Sequence, residues 1–226
     1  MIRRATAWLL LVFPLLVQAA GPLIPEDGAK TLDFSLRFAS EKAPFDYGGQ
    51  AHDTTSRWIG VSWREKTSER LTLGMYGGYA YVTQTNNPLT AGVELDGFHA
   101  GFSLHGILLN RPRASFYYAL AYTYQKVDHK SDTQNVVIDW SEPQAQLGAI
   151  VTLTKSLRLY GGGSYGYIDG EERASGTVNH TTNFSRDSRA GGFLGLDLSV
   201  EPDGYIGIEA KSGLSRGGEI YFKRSY

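Results

Sequence analysis

Two pairs of neighbouring histidine and aspartate residues are the side chains best suited to acid–base chemistry. His52 precedes Asp53, and Asp128 precedes His129. An imidazole beside a carboxylate can activate a water molecule for hydrolysis. Both pairs lie in polar stretches between predicted strands, where such residues also occur without a catalytic role. We therefore keep catalysis as an alternative and expect no catalytic residue.

A second group, Asp96, His99 and Ser103, places an acid, a base and a hydroxyl close together in the chain. Nothing in the sequence links these three to a substrate pocket. A histidine on a polar face is most often a hydrogen-bonded structural residue. Three histidines lie on separate predicted loops: His52, His129 and His180. They lack the spacing of a metal site, and the chain has no cysteine, so we predict neither a metal nor a cofactor.

The first 20 residues predict a secretion signal peptide. Arg3 and Arg4 precede an apolar stretch, AWLLLVFPLLV at 7–17, which Pro14 interrupts. The stretch is too short to span a bilayer, and small residues suited to cleavage follow at 17–21. The alternative is an uncleaved membrane anchor, which the short length disfavours. We expect an exported chain with a single domain at 21–226.

The composition favours strands and argues against nucleic acid as a partner. The net charge is −1 over 226 residues, so the basic surface that nucleic acids require is missing. The chain has 27 glycines and 14 tyrosines, a combination typical of many strands with close backbone contacts.

Apolar and polar residues alternate along almost the whole chain after residue 30. In LDFSLRF at 32–38, the four apolar residues fall on one face and Asp33, Ser35 and Arg37 fall on the other. A period of two indicates half-buried β-strands. The predicted strands lie at 32–38, 58–64, 71–81, 98–108, 116–125, 144–153, 157–167, 193–200, 205–211 and 219–226. These segments have about the length that a tilted strand needs to cross a membrane.

Short turns alternate with long polar connections between these strands. The short turns are EKTSER, NRPR, TKS and EPDG, and the long stretches are 41–56, 84–92, 128–135 and 169–188. A barrel in an outer membrane has this asymmetry, with short periplasmic turns and longer extracellular loops. An exported barrel that starts and ends in the periplasm has an even number of strands.

The two faces of the strands differ in chemistry. One face is rich in large apolar and aromatic residues, as expected of a surface in lipid. The other is small or polar and is predicted to form a charge network inside the barrel: Asp33, Arg37, Arg64, His99, His105, Arg158, Asp197, Glu209, Lys211 and Lys223. We expect these charges to neutralise one another, because water is scarce in a narrow lumen. A soluble barrel with the apolar face inside is the alternative.

The last strand resembles that of the small outer-membrane β-barrel family, typified by the OmpA-like transmembrane barrel. In EIYFKRSY, Ile220, Phe222 and the final Tyr226 share one face. In that family the assembly machinery reads such an aromatic terminus, and the last strand closes the barrel against the first. Arg224 departs from the pattern, which has an apolar residue at that position. The resemblance covers residues 30–226 and rests on architecture and terminus alone.

Together these features predict an all-β protein: a closed antiparallel up-and-down barrel of about ten strands, or eight, in the outer membrane of a Gram-negative cell. The predicted function is non-enzymatic, with a plugged or narrow lumen and a structural or surface-interaction role. The alternatives are a narrow pore and an enzyme, such as an omptin-like protease or a lipid A-modifying enzyme, with His and Asp at its rim. The expected partners are outer-membrane lipid and lipopolysaccharide, the barrel-assembly machinery, periplasmic chaperones and an envelope protein.

Overall fold

The computed structural model describes residues 31–186 and 189–226, which form twelve β-strands. The predicted signal peptide at 1–20 lies outside these residues. The strands are β1 (Leu32–Asp46), β2 (Ala51–Ser68), β3 (Leu71–Thr85), β4 (Glu94–Arg111), β5 (Ala114–Lys130), β6 (Gln134–Thr152), β7 (Leu157–Gly166), β8 (Asp169–Gly176), β9 (His180–Ser185), β10 (Ala190–Glu201), β11 (Gly204–Ser212) and β12 (Arg216–Ser225). The described residues contain no helix that is long and apolar enough to cross a membrane.

Ten of the strands form a closed antiparallel ring. Its order is β1 to β7 and then β10, β11 and β12. β12 closes the ring on β1 through ten residue pairs, from Asp33 with Ser225 to Lys42 with Arg216. The prediction of about ten strands is confirmed, and the alternative of eight is wrong for this ring.

The two remaining strands form a hairpin that closes a second, smaller ring. The first half of β6 pairs with β8, from Gln134 with Gly176 to Ser141 with Asp169, whereas the second half pairs with β7. β9 pairs with β8 and meets β1 at Asp46 and Ser185. β7, β10, β11 and β12 are shorter than β1 to β6. Beyond their ends, on the side away from the short turns, the β8–β9 hairpin therefore completes the wall between β6 and β1.

Three of the four stretches predicted as long loops are mostly strand, whereas 84–92 is mostly loop, as predicted. β1 continues to Asp46 and β2 begins at Ala51, so only a tight turn remains of the predicted loop at 41–56. The predicted loop at 169–188 holds the β8–β9 hairpin. The interpretation was wrong because the outer face is polar there, which conceals alternation that continues on the inner face. Ala43 and Phe45 are buried on that inner face.

A broad apolar belt covers the outer face of the ring. Its exposed side chains include Phe34, Trp63, Met75, Phe98, Leu147, Tyr165, Leu194, Ile208, Ile220, Phe222 and Tyr226. The inner face opposite the belt carries the charged residues. This arrangement rules out the soluble alternative, in which the large apolar residues would lie inside. Arg224, the departure from the family pattern, lies on the outer face with its guanidinium 5.8 Å from the centre of the Tyr226 ring.

Tyrosine rings lie across glycines on the inner face of the belt region. Four cross-strand pairs have this form: Tyr76 with Gly101, Tyr117 with Gly148, Tyr160 with Gly195, and Tyr221 with Gly207. A methyl group built on Gly207 would lie 2.0 Å from the Tyr221 ring. The glycines are therefore required because rings of neighbouring strands occupy the space of their missing side chains.

We expect Gly207→Ala to destabilise the barrel, because the buried Tyr221 ring has no room to move aside. Overpacking of this kind costs about 1–3 kcal/mol. The matched control is Gly163→Ala, whose added methyl group would meet only a backbone oxygen at 3.8 Å. Urea unfolding in lipid vesicles measures both free energies, and an equal loss for the two variants would contradict the steric explanation.

Candidate functional site

A bidentate ion pair lies at the middle of the barrel interior. Arg37 donates from Nε to Oε1 of Glu219 at 2.7 Å and from Nη2 to Oε2. Both side chains are almost fully buried, and the Arg37 guanidinium lies 4.8 Å from the centre of the Trp58 ring. The sequence prediction included Arg37 but missed Glu219. The signal was present, because Glu219 precedes Tyr221 and Lys223 on the inward face of β12.

A second group of charges lies around Lys211. Its Nζ is 2.6 Å from Oε1 of Glu41 and 3.8 Å from Oε1 of Glu209. Ser215 donates from Oγ to the other oxygen of Glu41 at 2.9 Å. Glu41 was missed because it lies in a stretch predicted as a loop.

These contacts cross the junction where the barrel closes. Arg37 and Glu41 belong to β1, whereas Glu219 belongs to β12 and Lys211 to β11. At the end with the short turns, Ser225 of β12 donates to Asp33 of β1 at 2.5 Å. Side-chain contacts therefore reinforce the backbone ladder between the first and last strands.

A third group of charges lies at the end of the barrel with the short turns. Arg64 is 3.3 Å from Asp33, and Lys223 is 3.7 Å from Asp197. Tyr221 donates a hydrogen bond to Asp197 and lies 3.2 Å from the Tyr160 hydroxyl. Arg158 lies across the β7–β10 ladder from Asp197, with its guanidinium 5.2 Å from the centre of the Tyr205 ring.

The charges in this part of the interior balance. The cations are Arg37, Arg64, Arg158, Arg186, Lys211 and Lys223, and the carboxylates are Asp33, Glu41, Glu142, Asp197, Glu209 and Glu219. Arg186 and Glu142, which were also missed, are paired at 2.9 Å. An interior with equal numbers of opposite charges avoids the cost of an uncompensated buried ion.

The two predicted lumenal histidines are buried but make different contacts. His99 lies against the Trp58 ring, with 4.9 Å between the ring centres. His105 is fully buried, and neither ring nitrogen has a hydrogen-bond partner among the described residues. The structure thus places both rings in the polar interior of the barrel.

The candidate catalytic groups are divided between the two faces of the wall. His52 is buried, whereas its neighbour Asp53 faces outwards and pairs with Lys42 at 2.8 Å. Asp96 lies outside and accepts a hydrogen bond from Tyr79, whereas His99 and Ser103 lie inside. Asp128 and His129 are also separated, because neighbouring residues of β5 face opposite sides of the barrel wall. Within residues 31–186 and 189–226, there is no group of three or more His, Cys, Asp or Glu side chains that could hold a metal ion.

An apolar core fills the barrel beneath the β8–β9 hairpin. Phe45 stacks on Phe184 of the hairpin with 4.8 Å between ring centres and meets the edge of Trp140 at 5.4 Å. The other buried members include Ala80, Val82, Leu95, Val127, Val136, Ile138 and Ile168. The core joins the hairpin to the tall strands β1 to β6.

A polar network caps this core. Asn87 donates to Gln84 and to Glu172 of the hairpin, each at 2.8 Å, and Thr90 donates to Gln84 at 2.8 Å. Tyr47, in the β1–β2 turn, accepts from Gln84 at 2.9 Å. Burial and the nearby Glu172 carboxylate raise the pKa of the Tyr47 hydroxyl, which therefore remains protonated.

A small cavity separates the apolar core from the charged groups. It has a volume of about 40 Å³, with Glu41, Trp58, Tyr76, Trp140 and Arg186 among its lining residues. A cavity of this size holds roughly three water molecules. The interior thus has two layers, apolar under the hairpin and charged within the belt.

Comparisons with known proteins give information on the fold alone. No protein family matches the sequence, and no curated protein does. Among solved structures, the β-domain of the Bordetella autotransporter BrkA superposes with a TM-score of 0.54 at 11% identity, covering 88% of this chain and 100% of that one. The translocator domain of the autotransporter NalP from Neisseria meningitidis gives 0.52 at 11% identity, covering 89% and 90%.

The outer membrane protease OmpT from Escherichia coli gives a TM-score of 0.50 at 12% identity, covering 90% of this chain and 100% of that one. The chain has the fold of an outer-membrane β-barrel. This fold and the apolar belt place the protein in the outer membrane of a Gram-negative cell. The short turns then face the periplasm, and the β8–β9 hairpin lies on the extracellular side.

We expect Glu219→Gln to destabilise the barrel strongly, because Arg37 would lose its buried counter-ion. Breaking one side of a buried ion pair costs about 3–5 kcal/mol, whereas replacing both partners by apolar residues is often close to neutral. The double variant Arg37→Met/Glu219→Leu should therefore recover most of the loss.

The matched control is Asp53→Asn, which removes the partner of Lys42 from an exposed pair and should cost less than about 1 kcal/mol. Unfolding free energies from tryptophan fluorescence in vesicles distinguish the variants. If Glu219→Gln were no more damaging than Asp53→Asn, the pair would contribute nothing particular to the barrel.

Proposed function

We propose that this protein is a closed, non-enzymatic barrel that presents a rigid surface outside the cell. The observation that carries the proposal is the two-layer filling of the interior. The charged groups fill the section within the belt, and the apolar core fills the section beneath the hairpin. Each layer obstructs the path that ions or solutes would follow through the lumen.

The narrow-pore alternative requires a continuous column of water. The Tyr160 and Tyr221 rings lie over Gly195 and Gly207 with their hydroxyls 3.2 Å apart, and the Arg37–Glu219 pair lies inside the same section of the barrel. The cavity above them has room for only a few water molecules. The ring also has only ten strands, and side chains can largely fill the interior of a barrel of about this size.

The surface role rests on the uneven height of the wall. β1 to β6 extend beyond the belt, and their outer faces there are polar, with Lys42, Asp53 and Arg57 among the exposed residues. The hairpin adds Arg173, which pairs with Asp139 of β6 and with Glu171. A paired strand surface is more rigid than a loop, so it can hold a fixed pattern of charges for a partner in the envelope or outside it.

The enzyme alternative rests on rim histidines and aspartates. One structural neighbour is a protease, but at 12% identity the likeness concerns the fold. The separation of His52 from Asp53 and of His99 from Asp96 by the barrel wall supports the non-enzymatic proposal, because a general base must reach the group that orients it.

We expect the refolded protein to show no steady conductance in a planar lipid bilayer, because both layers close the lumen. A difference in gel mobility between unheated and boiled samples confirms that the inserted protein is folded. Defined conductance steps from folded wild-type protein would overturn the closed barrel and favour the pore.

We expect two changes together to open the barrel. Gly166 N donates to Arg189 O at 2.9 Å, so a tight Asn-Gly turn can replace residues 167–188 and remove the hairpin. This deletion removes Arg186 but leaves the charged groups around Arg37, Lys211 and Asp197, so it alone should stay silent. The same deletion combined with Arg37→Ser, Glu219→Ser and Tyr221→Ser should conduct. Silence of the combined, folded variant would show that other groups close the lumen.

A further inference from the structure

Three cations occupy neighbouring positions on the outer face of the barrel, where β12, β1 and β2 leave the apolar belt. Lys42 of β1 pairs directly with Arg216, the first residue of β12, in the ladder that closes the ring. Arg57 of β2 pairs with Ser40, so it lies diagonally across from Lys42. Directly paired residues have Cβ atoms about 4.5–5.5 Å apart, and diagonal neighbours lie about 7–8 Å apart. The three exposed cations therefore form one basic cluster.

One carboxylate is in contact with the basic cluster in the described part of the chain. Asp53 lies 2.8 Å from the Lys42 ammonium. Arg57 and Arg216 have no ion-pair partner among the residues that the structure describes. Like charges at directly paired positions, such as Lys42 and Arg216, destabilise a sheet unless an anion lies between them. The cluster therefore carries excess positive charge with no protein partner in the described ranges.

The other carboxylates of this region are engaged elsewhere. Glu41 faces the interior of the barrel, where it pairs with Lys211 at 2.6 Å. Asp96 lies two strands away from β2 and accepts a hydrogen bond from Tyr79. Asp46 accepts a hydrogen bond within the β1–β2 turn, roughly 13 Å further along the strand than the cluster. None of the three neutralises the guanidinium groups of the cluster.

The basic cluster lies at the level where the belt meets the polar outer surface. Arg57 pairs with Tyr81, an exposed aromatic residue of the type found at membrane interfaces. Towards the periplasm, the three strands continue with large apolar residues of the belt: Phe38, Ile59 and Ile220. Ser40 and Gly218 pair with each other between these residues and the cations. Because both are small, they leave room against the wall just beneath the cluster.

The other side of the barrel has the opposite charge at this height. On β4, β5, β6 and β8 three cations face outwards beyond the belt, against six carboxylates: Glu94, Asp96, Asp128, Asp139, Asp169 and Glu171. A negatively charged head group would be repelled there and attracted to the basic cluster. The outer surface therefore favours an anionic lipid on one side only, next to β1.

We propose that the basic cluster binds a phosphate group of lipid A, the lipid anchor of lipopolysaccharide, in the outer leaflet beside β1. A guanidinium matches a phosphate through two parallel hydrogen bonds, and the ammonium adds a point charge. Basic side chains at a membrane surface attract anionic head groups in this way. The acyl chains of the same molecule then lie along the belt below Ser40. The inference rests on the surface role proposed above, because Lys42 and Arg57 belong to that surface.

The site can be tested by native mass spectrometry of the refolded protein in detergent, titrated with diphosphoryl lipid A. Wild-type protein should bind it saturably and should bind dephosphorylated lipid A and phosphatidylglycerol more weakly. Equal affinity for the dephosphorylated form would mean that acyl chains alone bind. Equal affinity for phosphatidylglycerol would mean that the cluster attracts any anionic lipid. Either result would overturn the assignment to lipid A.

The triple variant Lys42→Gln/Arg57→Gln/Arg216→Gln should bind lipid A about 100-fold more weakly, because each cation near an anionic head group contributes about fivefold. The matched control Lys126→Gln/Lys130→Gln/Arg173→Gln removes the same charge from the acidic side of the barrel. It should keep the wild-type affinity. Equal losses in the two triple variants would reduce the effect to net charge and would overturn the site.

Asp53→Asn tests the cluster in the opposite direction. The change removes the carboxylate that neutralises Lys42, so lipid A should bind about fivefold more tightly. Damage to the fold cannot raise the affinity, and the gel mobility of unheated and boiled samples confirms folding. An unchanged or weaker affinity would contradict the proposal. Conductance tests the closed lumen separately: a conducting barrel that binds lipid A would overturn the closure and leave this site intact.

Discussion

A bilayer contains no water to hydrogen-bond an exposed backbone, so a sheet that crosses it must have no free edge. In this protein that constraint is met by the ladder between β1 and β12. The inner face of the same junction carries the contacts of Arg37 with Glu219, of Glu41 with Lys211 and of Asp33 with Ser225. Backbone pairing closes the ring, and buried side chains specify which strands meet there.

Closure at ten strands leaves an interior that side chains must fill. Glycines opposite Tyr76, Tyr117, Tyr160 and Tyr221 make room for the rings, and the charged residues occupy the space that remains. Because water is limited, nearly every charge needs a partner of opposite sign. The near-complete pairing of these charges makes the interior a polar core.

The polarity of the strands inverts beyond the belt. Within the belt, large apolar residues face outwards and polar residues face inwards. Further along the same strands, Ala43, Val82 and Ile138 face inwards onto the apolar core, while the outer face is polar. The reason is the surrounding solvent: lipid favours an apolar outer face, and water favours an apolar interior. One continuous strand thus belongs first to a membrane barrel and then to a water-exposed one.

The sequence by itself determined the barrel, a ring of about ten strands and which residues face inwards in the belt, because alternation with a period of two is a local property. Glu219 could have been recognised from that alternation, whereas Glu41, Glu142 and Arg186 could not be assigned partners from local pattern. Only the tertiary structure decided that β8 pairs with β6, that the hairpin covers an apolar core, and that Arg158 and Lys223 both lie against the Tyr205 ring. These features join strands that are distant in the chain, and their geometry depends on the register and closure of the whole ring.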